Sequence, residues 1–244
     1  MSIAEKLTAI AENEQKVYEA GKQAEYDAFW DSFQQSGNRT HYGRAFSNSP
    51  FTKEVFNPKY DLICTSANAM FAYIGYANSD KNTITNLKEY LNKIGITLDT
   101  STSDSISEMF YINKAFTHIP TISAESVTDL AAVFYSCSSL VEIEKLILKK
   151  DGSNTFAHTQ SWQYPFFNCT ALKHIVIEGV IGSTVSFQWC PLTKESITSI
   201  INALSTTSSG QTVTFKKTAK EAAFTADEWD ELISTKKNWT FSLA

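Results

Sequence analysis

The spacing of apolar positions changes character along the chain. In residues 3–35, Ile3, Leu7, Ile10, Val17 and Ala24 follow alternating steps of four and three, with Glu14 and Gly21 falling in the same register. That spacing predicts one helix with a narrow apolar stripe. Ser2 and Glu5 form a capping box at its start, and Tyr26, Phe29, Trp30 and Phe33 cluster toward its end. Two readings of the stripe stay open: a short parallel coiled coil with a polar middle, or an amphipathic helix packed on its own domain. Isolated helices of this length are marginal in water and Gly21 weakens this one, so the stripe needs burial against something. Ile3, Leu7, Ile10 and Val17 are the candidate oligomerisation residues. The polar, turn-rich stretch 34–50, QQSGNRTHYGRAFSNSP, marks a boundary between this helix and the main body.

Past that boundary the pattern becomes a repeat. FYINKAFTHI from Phe110, FYSCSSLVEI from Phe134 and FFNCTALKHI from Phe166 align without gaps. An aromatic opens each unit, Asn113, Cys137 or Cys169 stands at the fourth place, Phe116, Leu140 or Leu172 at the seventh, and Ile119, Ile143 or Ile175 at the tenth. A degenerate copy begins at Phe187, with Cys190 at the fourth place and Leu192 one residue early. Weaker echoes are AMFAYI at 69–74 and AFSNSPF at 45–51. One unit is too small to bury its own apolar side, whereas stacked copies put like on like and make a continuous core. The fourth place suits a small inward side chain against backbone. LVEIEKLIL and LKHIVIEGVI alternate and are β-branched, so both are expected as strands. Spacings of 24, 32 and 21 residues between copies require insertions, the longest being 149–164.

The tail has a third pattern. PLTKESITSIINALS reads as an amphipathic helix, QTVTFKKT as a strand, TADEWDELISTK as a helix with a Thr225–Glu228 capping box, and NWTFSL as a last strand. Such a unit suits a cap on a stack of repeats. The expected fold is therefore α/β: a short leucine-rich-repeat-like solenoid, preceded by a long N-terminal helix and closed by a helix/strand cap. The domains divide as 1–36, 37–204 and 205–244.

Charge and composition narrow the function. The net charge is −5, and residues 1–35, with seven acids and three bases, carry −4 of it. No basic patch stands out, which argues against nucleic acid. The start has no apolar h-region, so no signal peptide is expected, and no run of about 18 apolar residues predicts membrane insertion. Cys64, Cys137, Cys169 and Cys190 include no CxxC pair, and three of them share one repeat position, so buried free thiols are expected rather than disulfides or zinc.

Chemistry is scarce. His41, His118, His158 and His174 fall in no metal-ligand spacing, and no nucleophile elbow or phosphate-binding glycine pattern occurs. Glu142 and Glu144 alternate along a strand and read as a solvated face rather than a glycosidase pair. Asn38, Asn168 and Asn238 match the glycosylation sequon and are read as coincidence. The expectation is no enzyme, no cofactor and no metal. Tyr135, Trp162, Tyr164 and Trp189 are the candidate contact aromatics.

The F-x-x-C-x-x-L-x-x-I units resemble BspA-like leucine-rich repeats, and the VTDLAAVF and SISEMF approaches resemble their Met-Phe variant. TADEWDELISTKKNWTFSL and IAENEQKVYEAGKQAEYDAFWD are similar to the ends of repeat proteins encoded by phages and prophages of gut bacteria, among tail or host-contact genes. The resemblance implies a virion-associated tail or fibre component that contacts other virion proteins, or a host-surface protein or glycan. It implies a homo-oligomer with a trimer favoured, made in the host cytoplasm. The alternative is a cellular BspA-like adhesion or interaction module.

Overall fold

The computed structural model describes residues 13, 16, 17, 21, 24, 40–49, 51–53, 56–77, 81–156 and 164–244. The expected stripe residues Ile3, Leu7 and Ile10 lie outside them. Asn13, Lys16, Val17, Gly21 and Ala24 are helical and exposed, Val17 at 66%.

The body is α/β, with every strand pairing parallel. The strands are β1 (Thr40–His41), β2 (Leu62–Ser66), β3 (Leu98–Asp99), β4 (His118–Ile119), β5 (Ile122–Ser123), β6 (Glu142–Ile147), β7 (His174–Glu178), β8 (Val185–Phe187), β9 (Gln211–Phe215) and β10 (Trp239–Leu243). The helices among the described residues are α1 (Leu87–Ile94), α2 (Lys194–Ala203), α3 (Lys217–Ala223) and α4 (Ala226–Ser234). The sheets run β1-β2-β3, then β6 flanked by β4 and β5 on one side and β7 on the other, then β8-β9-β10. β4 and β5 flank Pro120, which has no N–H to give the ladder. Between Ile143 and Leu146 the register on β7 slips, so that both Glu144 and Lys145 turn away from the core.

Between the strands the chain runs in ribbons of overlapping turns. In the first, the N–H groups of Ala45, Ser47 and Ser49 turn back to the carbonyls of Tyr42, Arg44 and Phe46. The intervening N–H groups of Tyr42, Arg44, Phe46 and Asn48 reach the carbonyls of Ser66, Asn68, Met70 and Ala72 in the next ribbon. The same alternation carries Ala67, Ala69, Phe71 and Tyr73 to Ser105, Ser107, Met109 and Tyr111, and Glu108, Phe110 and Ile112 to Ala131, Val133 and Tyr135. The geometry requires two left-handed residues per ribbon. Arg44 and Asn48, Ala69 and Tyr73, Glu108 and Ile112, and Ala132 and Ser136 all sit at φ of 49–61°. Each costs roughly 1–2 kcal/mol in a residue with a Cβ, and the hydrogen bonds that the ribbon completes on both sides offset it.

Each ribbon points one phenyl ring inward, strands β8 and β9 add Phe187 and Phe215, and the rings form a column. Phe46, Phe71, Phe110, Phe134, Phe166, Phe187 and Phe215 follow at centroid distances of 5.7, 5.4, 5.7, 5.6, 4.6 and 6.1 Å, with planes 13–27° apart. All seven rings, with Leu140, Leu172, Ile143 and Ile175, belong to one buried cluster. The two echoes at 45–51 and 69–74 thus supply Phe46 and Phe71 to the same column as the clear copies.

The fourth place acts as a donor between ribbons. Cys137 Sγ donates to the Phe110 carbonyl at 2.9 Å, Cys169 Sγ to Phe134 at 3.0 Å and Cys190 Sγ to Phe166 at 3.8 Å. Asn113 Nδ2 donates to the Phe71 carbonyl at 3.0 Å, and its Oδ1 also accepts from Ala115 and Phe116. The four thiols are free and buried. Burial pushes those of Cys137 and Cys190 well above the ordinary range, and that of Cys64, with Asp99 nearby, up to about 12.

Helices close the open sides. On α2, Ser196 Oγ and Ser199 Oγ each accept an edge N–H of β7, from Ile175 and Ile177, both at 2.9 Å. This satisfies a strand edge that would otherwise be open to pairing. α4 begins with the expected Thr225–Glu228 capping box, and Lys194 holds Glu228 at 2.7 Å. The Lys194 pairing first, then the Thr225 cap, lowers the Glu228 carboxyl to about 2. Trp229 closes the column edge-on against Phe215 at 5.9 Å. Lys236 Nζ donates to the last carbonyls of α2, at Asn202 and Leu204, complementing the negative end of that helix.

Candidate contact surface

The residue after an inward phenyl faces the other way. In FYINKAF, FYSC and FFNC the second aromatic of the doublet is Tyr111, Tyr135 or Phe167, and all three are half-buried. They form a second column, on the surface. Tyr111 stacks on Tyr135 at 5.1 Å and 18°, Tyr135 on Phe167 at 4.9 Å and 6°, and Trp189 meets Phe167 at 4.2 Å. At the other end, Tyr73 sets its edge to Tyr111 at 5.4 Å and Tyr76 lies beyond at 6.0 Å. Tyr76 is 59% exposed, and Lys114 Nζ sits 4.9 Å over its ring.

Hydrogen bonds tie the backbone under the strip from ribbon to ribbon. Tyr73, Ile112 and Ser136 occupy the left-handed positions of their ribbons, and Asn168, also left-handed, donates from Nδ2 to Ser136 Oγ at 3.0 Å. Stacking also decides what the strip can offer. The faces of Tyr111, Tyr135 and Phe167 are turned to one another, so their edges and the two phenol hydroxyls are what solvent meets. The Tyr111 phenol is held above its ordinary value, first by partial burial and then by its neighbours Tyr73, Tyr135 and Glu108. It stays protonated, a hydrogen-bond donor as well as an acceptor.

Of the aromatics singled out from sequence, Tyr135 and Trp189 enter this strip. Tyr164 is half-buried, and its carbonyl accepts from the Phe167 N–H, but its ring joins none of the strip's stacks among the described residues. Trp162 lies outside the described residues. Tyr73, Tyr76, Tyr111 and Phe167 were missed, although the aromatic doublet at the head of each clear copy carries the signal for two of them.

The outer face of the β4-β6-β7 sheet is largely polar, with Val176 exposed among its charged side chains. Lys88, on α1, bridges Glu142 at 2.7 Å and Glu144 at 3.4 Å, and His118 Nε2 stands 3.9 Å from Glu142. The Lys88 hydrogen bond lowers the Glu142 carboxyl and raises the Lys88 ammonium. General acid catalysis at neutral pH needs the opposite shift in a carboxyl. Beside this face, an open groove of about 750 Å³ runs along α2 and is lined by Ile177, Gly179, Lys194, Thr198 and Asn202. Its one ammonium, Lys194, is already paired with Glu228. The amides of Asn168 and Asn238, the two described sequon residues, are both engaged in hydrogen bonds within the fold.

Among the described residues, no group of three or more His, Cys, Asp or Glu could hold a metal ion, and no helix is long and apolar enough to cross a membrane. The chain matches no protein-family model, no curated protein and no solved structure.

Proposed function

We propose that this chain is a non-catalytic contact protein, a short BspA-like leucine-rich-repeat solenoid whose surface aromatic strip docks on a partner. The observation that carries the reading is the unbroken run Tyr76–Tyr73–Tyr111–Tyr135–Phe167–Trp189, held in place by a second, buried column behind it. Tyrosine gives large contact area with few torsions to freeze, and a pre-stacked row has little entropy left to lose. Because the central faces are occupied, the strip suits edge and hydroxyl contact with a protein surface better than flat stacking under a sugar ring. The resemblance of both chain ends to phage-encoded repeat proteins supports a place in a virion, as a tail or host-contact component.

Two measurements test this. Proteomics of particles induced from the encoding strain should find the chain among the virion proteins, and its absence there would remove the virion assignment. Fluorescently labelled chain should be retained on host cells or on purified tail proteins, and Tyr135→Asp should weaken retention about tenfold or more. Retention that ignores Tyr135→Asp would move the contact off the strip.

A further inference from the structure

β10 is the outer strand of its sheet, and its outer edge is built differently from that of β7. The edge of β7 is covered by the hydroxyls of Ser196 and Ser199. Among the described residues nothing pairs with the outer side of β10. The hydrogen bonds give its phase. Ala244 donates to the Phe215 carbonyl and accepts from the Lys217 N–H, so its backbone groups face β9. Alternation along a strand then turns the N–H and C=O of Phe241 and Leu243, and the C=O of Trp239, away from β9. The Trp239 N–H is already spent on the Lys236 carbonyl.

Edges left open in this way are normally guarded by a charge, a proline or a bulge. The stretch Asn238–Ala244, NWTFSLA, holds no charged side chain and no proline, and its five pairs with β9 are in continuous register. Leu243 is 41% exposed on it.

We propose that β10 pairs antiparallel with the β10 of a second copy of this chain, about a twofold axis at Phe241. In that register all but one of the outward groups match. Phe241 exchanges both backbone bonds with the partner's Phe241 and the Leu243 N–H reaches the partner's Trp239 carbonyl, while the Leu243 carbonyl, opposite the spent Trp239 N–H, stays on solvent. The side chains match as well. Trp239 lies opposite Leu243 and Phe241 opposite itself on one face, while Thr240 lies opposite Ser242 on the other. No charge meets a like charge anywhere along the strand. The self-complementarity is that of an isologous contact. It joins two three-stranded sheets into one and leaves the aromatic strip of each copy unused.

Sedimentation of the full chain against Leu243→Pro tests this. The N–H lost at Leu243 points outward, and an edge strand tolerates proline there, so the fold should survive, with far-ultraviolet circular dichroism as the check. The mass of the wild-type particle should be twice that of Leu243→Pro, whatever association other segments add to both. Equal masses would overturn the proposal, leaving the edge open or taken by a different protein. Leu243→Ala keeps the N–H and should keep the doubled mass; its loss there would assign association to the side chain instead and overturn the pairing. Hydrogen exchange on the unmodified chain gives an independent reading. The Phe241 and Leu243 amides should slow about tenfold between roughly 1 and 100 µM protein, and rates independent of concentration would refute the contact.

Discussion

Asn113→Ala is the most informative single substitution in the body. Asn113 is 2% exposed and holds three backbone groups at once: the Phe71 carbonyl at 3.0 Å, and the N–H groups of Ala115 and Phe116 at 3.1 and 2.9 Å. At Cys137 and Cys169 the work is divided differently. The thiol donates to the neighbouring ribbon, and the backbone carbonyl of the cysteine takes the N–H three residues on, from Leu140 or Leu172. Alanine at position 113 therefore strands one carbonyl and two N–H groups in a dry site. A buried polar group without a partner costs about 1–3 kcal/mol. With partial relaxation of the turn, the expected loss is about 3–5 kcal/mol, a large share of the stability of an ordinary domain. Urea titration followed by tryptophan fluorescence reads it as a lower midpoint at unchanged slope. Asn113→Cys restores the donor to Phe71 but not the acceptor, and should fall between alanine and wild type. A loss below about 1 kcal/mol for Asn113→Ala would refute the view that this position ties the ribbons together.

The columns and the thiols give two further expected outcomes. Phe134 is buried between Phe110 and Phe166, so Phe134→Ala should cost about 3–5 kcal/mol, whereas half-exposed Tyr135→Ala should cost about 1–2 kcal/mol; the reverse order in a denaturant titration would invert inside and outside. The native chain should take up no iodoacetamide at neutral pH and should be alkylated at Cys64, Cys137, Cys169 and Cys190 once unfolded without reductant, because burial disfavours the thiolate; a Cys137–Cys169 disulfide in the mass spectrum would contradict this.

Parts of the fold were legible because they rest on patterns that one element enforces by itself. The capping box at Thr225, the helix after Pro191, and the alternation that became β6 and β7 are local, and each stands where the sequence puts it. α1 carries signals that are just as local. Asn86 caps it by accepting from the Glu89 N–H, and Gly95 ends it at φ 69°. It is nonetheless absent from the expected elements, because eight residues give only two turns of apolar period between much stronger repeats. The turn ribbons are a different case. Their left-handed positions are filled by residues such as Arg44, Ala69, Glu108 and Ile112, which carry no left-handed preference. What holds them is the carbonyl row of the next ribbon, a partner 23 to 38 residues away that no local pattern encodes.

The surface aromatic strip sits between those extremes. The doublets Phe110–Tyr111, Phe134–Tyr135 and Phe166–Phe167 are plain in the sequence, but a doublet alone does not say which ring goes inside. The ribbon decides it. The N–H groups of Phe110 and Phe134 bond to the next ribbon, while those of Tyr111 and Tyr135 turn back within their own. Neighbouring residues thus alternate in direction, as they would along a strand, although the ribbon is not extended. Tyr73 departs from this alternation: like Phe71 it donates its N–H to the next ribbon, at a left-handed φ of 61°, yet its ring stands in the surface column. Repeat position fixed the inner ring early because every copy shares it. The outer ring varies between Tyr, Phe and Trp, the freedom expected at half-exposed positions that the core does not dictate.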